Sequence, residues 1–387
     1  MRSFLADAAP DKRARLIDKL LEHPLHAAVW ATKLCDMMGA DDRFLNSTPF
    51  HDWFRHKFEQ NVSWDQIAYG VLCATAADDR TPEAIKEDQQ REAEEKKRQK
   101  EAKDAGKTAE PADPSLPAPK PWQVGYGARK TLDVFYSSLK FQQQIRDLDG
   151  KETKRLLDSK LVALQAANAL LGVQLACAQC HKHPADKWSQ NDFFSFATVF
   201  AHVQISGVDP ALKEMKVNLN GIHCGATPNE TFEDPLTHQV VGPKALDGPA
   251  IDMQPGVDPR KAVWQWMVEP QNPYFAKALV NRVWAHYLGR GFYEPVDAQA
   301  AANPPSHPEA LDELSRDLVD YKFDLRHLER RILNLAAYQR TWRVNASNAH
   351  DERNFSHRIL RRLTAEQVLD ALVESTGTPL KLTKVYG

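Results

Sequence analysis

Cys177-Ala178-Gln179-Cys180-His181 sets two thiols three residues apart, with an imidazole directly after the second. On a helical turn, thiols at i and i+3 and an imidazole at i+4 share one face. Thiols so placed can form thioethers with the two vinyl groups of one haem, and the imidazole can reach its iron as proximal ligand. With 5 cysteines and 14 histidines in 387 residues, random placement gives on the order of 0.002 such runs. The spacing therefore points to covalent haem c attachment at Cys177 and Cys180, with His181 on the iron.

Other chemistries compete for the same residues. Cys177, Cys180 and either His181 or His183 could join the distant His223-Cys224 pair as four nitrogen and sulfur ligands of zinc. That second pair is not itself a spaced two-ligand element, which weakens the zinc reading. A redox dithiol would need a βαβ setting, whereas the flanks here read as helix. Two buried structural thiols are the remaining alternative. For a haem, His183 is too close to His181 to cross to the opposite face and is better suited to a local hydrogen bond. His202, Met215, His223 and Met253 are far enough along the chain to fold back over the iron. An open sixth position would favour ligand chemistry; a His or Met there would favour electron transfer.

Trp188, Phe193, Phe194, Phe196 and Phe200 follow the motif. They either wall a haem crevice or form ordinary core, and helical spacing favours core. Asp186 reads as a turn partner rather than a catalytic acid. The chain holds no Gly-x-Ser-x-Gly elbow, phosphate-binding Gly-rich loop or His-Glu-x-x-His helix. Arg358, Arg361 and Arg362 form one basic patch, read as a solvated face that could also pair with a propionate or a partner carboxylate.

Composition bounds the partners. Lys and Arg number 50 against 52 Asp and Glu, for a net charge of -2. That balance excludes an electrostatic nucleic-acid glove or a polybasic membrane binder as the leading class. No apolar run is long enough for a transmembrane segment, and the N-terminus lacks the apolar stretch of a signal peptide. Five cysteines are too few for a disulfide framework.

The elements that must carry the motif read as helices. Leu16, Ile17, Leu20 and Leu21, then Ala28, Val29, Ala31 and Leu34, give two amphipathic stretches broken at His23-Pro24, and Trp64 to Cys73 gives another. Leu161, Leu164, Leu171 and Leu175 predict one long helix running into Cys177 and ending before Pro184. Ser189-Gln190-Asn191-Asp192 predicts a capping box, as do Ser306-His307-Pro308-Glu309 and Thr364-Ala365-Glu366-Gln367. Asn272-Pro273 predicts a helix start and Gly289 a stop. Between Lys86 and Lys107, 15 of 22 residues are charged, and five prolines follow between Pro111 and Pro121. This predicts a solvated arm with no face to bury. Met215, Val217 and Leu219, with Val240-Val241, are candidates for short strands.

The run Leu171 to Pro184, with Trp188 and Asp192-Phe193-Phe194, resembles the cytochrome-associated domain of unknown function found in large secreted planctomycete proteins. Phe4-Leu5-Ala6-Asp7 through Leu20-Leu21 is similar to the start of that domain. Asn272 to Ala276, Val280 to Trp284, Gly289-Arg290-Gly291, Asn303 to Glu309 and Arg361 to Gln367 resemble, in order, the recurring motifs of its partner domain. The resemblance implies haem attachment through Cys177, Cys180 and His181, with His183 part of the same motif, and a periplasmic or secreted location. It also implies a redox partner protein or cytochrome domain, and context shared with polysaccharide-degrading systems. Lys182, Ala185 and Lys187 depart from the residues usual in that family.

The expected fold is mainly α: two helical domains joined by an irregular segment with a few short strands. The expected division is a cytochrome-associated domain in two parts, 1–84 and 122–206, around an insertion at 85–121. A linker follows at 207–258, then a helical domain at 259–387 expected to be truncated. The expected function is a haem-binding electron-transfer or redox module. The alternatives are a metal-stapled structural or interaction protein and an enzyme linked to polysaccharide degradation.

Overall fold

The structure is a computed structural model that describes residues 2–39, 47–104, 126–138, 140–141, 156–205, 207–254 and 256–378. It opens with α1 (Arg2–Ala6), α2 (Lys12–Leu21) and α3 (Pro24–Met37). The break at His23-Pro24 is a cap: Pro24 takes the first helical position and the His23 ring accepts a hydrogen bond from Leu25 N–H. Next come α4 (Ser47–Glu59), whose Phe50, Trp53 and Phe54 are buried, and α5 (Trp64–Leu72), as the periodicity predicts.

The charged arm is α6 (Pro82–Asp104), laced by pairs such as Glu92 with Lys96. Its first turn departs from the expectation of a fully solvated arm. Ile85 is buried against Leu212 and Val217, and Gln89 Nε2 donates to Asn218 O at 2.9 Å. Asp88, also buried, pairs with Arg80 at 3.4 Å, so apolar and polar contacts together dock the root of the arm. The proline-rich stretch from Pro111 to Pro121 lies outside the described residues.

α7 (Val134–Ser138) precedes β1 (Lys140–Phe141), which pairs antiparallel with β2 (Leu156–Leu157). α8 (Ser159–Ala166) then continues as a π-helical turn, Ala167–Leu171. The single helix expected to reach Cys177 is not formed. Gly172 adopts φ 65 and reverses the chain, with Val173 N–H returning to Ala167 O at 3.1 Å. Leu175 is still buried, so its place in the apolar pattern reflects burial rather than helical continuity.

α9 (Gln190–Ala201) starts with the predicted capping box, Ser189 and Asp192 each bonding the other's backbone N–H. β3 (Val203–Gln204) pairs antiparallel with β4 (His223–Cys224), and α10 (Pro210–Glu214) lies between them. The strand expected around Met215, Val217 and Leu219 is instead a turn closing α10, with Lys216 at φ 58, while Val240 makes one isolated bridge to Glu233.

The remainder is α11 (Pro259–Met267), α12 (Phe275–Leu288), α13 (Pro308–Asp320), α14 (Leu325–Asn334) and α15 (Ala365–Thr376). Asn272 Oδ1 accepts from the N–H groups of Tyr274 and Phe275, both at 3.0 Å, and Gly289 at φ 91 stops α12. The Thr364 box forms. The Ser306 box does not: His307 occupies the cap without a side-chain bond, and Ser306 Oγ pairs with His307 Nδ1 instead.

The described residues are thus mainly α, with two two-stranded sheets. One core cluster runs from Ala27 to Phe355 and joins the N-terminal and C-terminal helices, with Trp64 of α5 stacked on Phe275 of α12 at 6.2 Å. Among the described residues no helix is long and apolar enough to cross a membrane.

Candidate functional site: the Cys177–His183 turn

The turn is anchored from both sides. On the α8 side, Arg282 of α12 donates to the carbonyls of Asn168 and Ala169 at the end of the π turn and pairs with Asp297 at 2.6 Å. Asn168 O also accepts from Gly172 N–H at 3.1 Å, so the guanidinium reinforces a carbonyl that already closes the turn. Gln299 adds bonds to Leu171 O and Gly172 O, both 2.9 Å. On the α9 side, Gln190 Nε2 donates to Gln179 O at 3.1 Å.

Between these anchors, Ala176–Gln179 forms a single 3-10 turn. Ala178 is buried and Cys177 and Cys180 are exposed, so the turn presents both thiols to solvent. The N–H groups of Cys180 and His181 both reach Cys177 O at 3.3 Å, which draws the three residues of the motif together. His181 is exposed and its Nδ1 lies 2.8 Å from Lys182 O. A carbonyl only accepts, so the hydrogen bond assigns the proton to Nδ1 and leaves Nε2 with a free lone pair. That is the tautomer and orientation a metal-ligating histidine needs, with the second ring nitrogen fixed by a backbone carbonyl.

The neighbours hold the turn rather than extend it. His183 N–H donates to Trp188 O at 2.8 Å, and its Nδ1 accepts from Ala185 N–H at 3.2 Å, closing the 183–188 loop. Asp186 accepts from Lys187 N–H at 2.8 Å and Ala301 N–H at 3.4 Å, the turn role read from sequence. Lys187 pairs with Asp247 at 2.5 Å and lies over the Trp188 ring. Burial opposes its charge, but hydrogen bonds to Asp247 and Tyr274 outweigh it and hold the ammonium above the ordinary lysine range. Trp188, Phe193, Phe196 and Phe200 are buried in the core, and Phe194 is partly buried against it.

Of the more distant candidates, His202, His223 and Cys224 are placed elsewhere. α9 has 12 residues, so its ends are roughly 18 Å apart. Its N-terminus meets the thiol turn; His202 closes its far end, with Nδ1 donating to Gly225 O at 3.2 Å. His223 and Cys224 lie beside it, since β4 pairs with β3; His223 Nδ1 is tied to Gly221 O at 3.0 Å. Met215 is exposed after α10, and Met253 is half-buried after the stretch whose Lys244 N–H bonds Ser195 O of α9. The described residues include every histidine and cysteine of the chain, and among them no three His, Cys, Asp or Glu side chains gather as a metal site. The ligand set of the zinc reading is therefore not brought together.

A family model described as PSCyt2, protein of unknown function (DUF1549), matches residues 1–205, and a second, PSD1, protein of unknown function (DUF1553), matches residues 259–385. The chain belongs to the PSCyt2 family. Both are planctomycete cytochrome-c-associated families. No curated protein and no solved structure matches the chain.

In this PSCyt2-family chain, sequence reasoning missed the buried ionic contacts that join the two matched segments. Arg260 of α11 is fully buried, forks onto Asp258 at 2.9 and 2.7 Å, and donates to Ala74 O at 2.9 Å beyond α5. Asp258 also caps α11 through Arg260 N–H. Burial opposes the Asp258 charge, yet Arg260 holds its carboxyl below the usual aspartate range. Cys224 is pushed up to about 12, first by burial and then by the Asp258 charge, which makes it a poor thiolate ligand. The Asp258-Pro259 start was readable as a helix cap. The pairing of Arg260 with a carbonyl 186 residues away was not.

Proposed function

We propose that this chain carries one haem c, attached through Cys177 and Cys180 with His181 as proximal ligand, and acts as an electron-transfer or redox module of an extracytoplasmic system. The observation that carries this reading is the pair of exposed thiols, one within a 3-10 turn and one capping its end, followed by a histidine whose Nδ1 is held by Lys182 O. The donor set suits the group: both thiols are open to attachment, and Nε2 keeps the lone pair that a metal requires. When bound, haem would supply one-electron chemistry.

The chain's own part is to hold the turn. Arg282, Gln299 and Gln190 fix the segments on either side, and His183 closes the loop that follows. An attachment point on an exposed turn supports a redox partner protein or cytochrome domain approaching it from outside. Because haem c is attached outside the cytoplasm, the same reading supports a periplasmic or secreted location.

Expression in a host with haem c maturation, followed by haem staining of a denaturing gel, tests the attachment. The wild-type band is expected to stain, and Cys177→Ala with Cys180→Ala to remove the stain. Equal staining of both would overturn the assignment, and an unstained wild type containing zinc by elemental analysis would favour the metal-stapled alternative.

A further inference from the structure

The basic patch read from the sequence forms one surface in the structure, independent of the thiol turn. Between Arg340 and Arg362 the chain has six arginines against two acids, Asp351 and Glu352, in a molecule whose net charge is -2. The two stretches that carry most of them lie side by side. Arg358 N–H donates to Thr341 O at 3.0 Å, and Arg340 Nη1 donates to Ser356 O at 3.4 Å. Phe355 is buried with its ring edge-on to Trp284, 5.2 Å between centroids, which ties this surface to α12. Asp351 is committed to the loop itself. Its carboxylate accepts from the N–H groups of Arg353, Asn354 and Ser356 at 3.0, 2.7 and 3.1 Å.

Among the described residues none of the six arginines pairs with a carboxylate; those with a described side-chain bond reach backbone carbonyls instead. Arg358 donates to Tyr338 O at 3.5 Å and lies over the Tyr338 ring, and Arg361 donates to His286 O at 2.7 Å. Burial, and then the charge of Arg358, hold Arg361 below the ordinary arginine range. Apolar side chains stand among these cations. Trp342 is 56% exposed between Arg340 and Arg343 in the chain, and Val344, Leu360 and Leu363 are exposed as well. Tryptophan and arginine are the residues that most often dominate protein–protein contacts. Exposed aliphatic groups gain from burial against another apolar surface and gain nothing from the charges of a polyanion.

We infer that the surface from Arg340 to Leu363 docks an acidic protein partner. Carboxylates of the partner pair with these arginines around a small apolar centre built on Trp342. The backbone bonds that already hold Arg340, Arg358 and Arg361 reduce the ordering that docking costs. A nucleic acid or another polyanion would satisfy the charges but leave Val344, Leu360 and Leu363 in water, so a protein is the better fit.

Fluorescence anisotropy of a short labelled peptide of interleaved glutamates and leucines, titrated with the full chain, tests this. Saturation is expected with a Kd of about 100 μM or tighter at about 0.15 M salt. The same peptide with lysine in place of glutamate should not bind. Trp342→Ala should weaken the acidic peptide about tenfold. Arg343→Glu with Arg362→Glu, both exposed, should weaken it at least as much and reduce its salt dependence. Dextran sulfate, which carries charge without apolar groups, should displace the peptide only weakly. Equal binding of the lysine peptide, undiminished binding to either variant, or no saturable binding to the wild type would overturn the inference. Dextran sulfate competing as strongly as the unlabelled acidic peptide would make this a general polyanion site and overturn it as well.

Discussion

The Cys177–His183 turn and the Glu329 cluster both position histidines by hydrogen bonds, but they use opposite means. His181 is held by the carbonyl of the next residue, and the ring and both thiols face solvent. His26 is held by the buried carboxylate of Glu329 on α14, 303 residues away, which also accepts from Trp30 Nε1 and the Tyr287 hydroxyl. In the first region the backbone of one short turn fixes the side chains, so they remain available for chemistry and contribute little to folding. In the second, groups from three helices meet only in the folded state, so the same type of contact ties the N-terminal helices to the C-terminal ones.

The largest test of that contrast is Glu329→Ala. It leaves the donors of His26, Trp30 and Tyr287 without their acceptor and is expected to cost about 3–5 kcal/mol, read as a lower urea midpoint at unchanged m-value. A loss below about 1 kcal/mol would mean the cluster does not tie the helices together. His286 should give a smaller, pH-dependent effect. Its folded pKa of about 4 lies below the ordinary 6.5, so the unfolded chain binds its proton more readily. Stability is therefore complete above about pH 6.5 and declines as pH falls toward about 4. His286→Gln should flatten this part of the curve, and an unchanged slope would remove His286 as its source.

On the side of the turn, Gly172→Ala forces φ 65 on a residue with a Cβ and brings that carbon to 2.9 Å from Gln299 Nε2. A destabilisation of about 1–3 kcal/mol is expected by thermal melting; a neutral outcome would show that the reversal into the turn is not held there. The smallest effect belongs to the thiols. Cys177→Ala with Cys180→Ala should leave stability within about 0.5 kcal/mol in the haem-free chain, and a larger change would place these exposed side chains in the fold rather than in function.

The same contrast explains what could be read in the sequence. Features decided within a few residues were legible: the Ser189 and Thr364 boxes, the Pro24 break, the Gly289 stop and the motif itself. Even local reading failed where burial imitated periodicity. Leu175 continues the apolar pattern past Gly172, although the chain has already turned. A glycine closing an apolar run was the available signal, and the pattern of leucines outweighed it. Ser306 failed as a cap because Pro308 fixed the first helical position and left His307 at the boundary. Docking of Ile85, the Arg260 bond to Ala74 O and the Glu329 cluster depend on partners more than 100 residues away. No periodicity or propensity carries that information.

For the central claim, the most direct measurement is the pyridine haemochrome spectrum of the protein purified from a host with haem c maturation. A c-type band in the wild type, lost in Cys177→Ala with Cys180→Ala, is the expected result. A wild-type protein with no c-type band, produced alongside a control cytochrome that acquires its haem in the same cells, would contradict it.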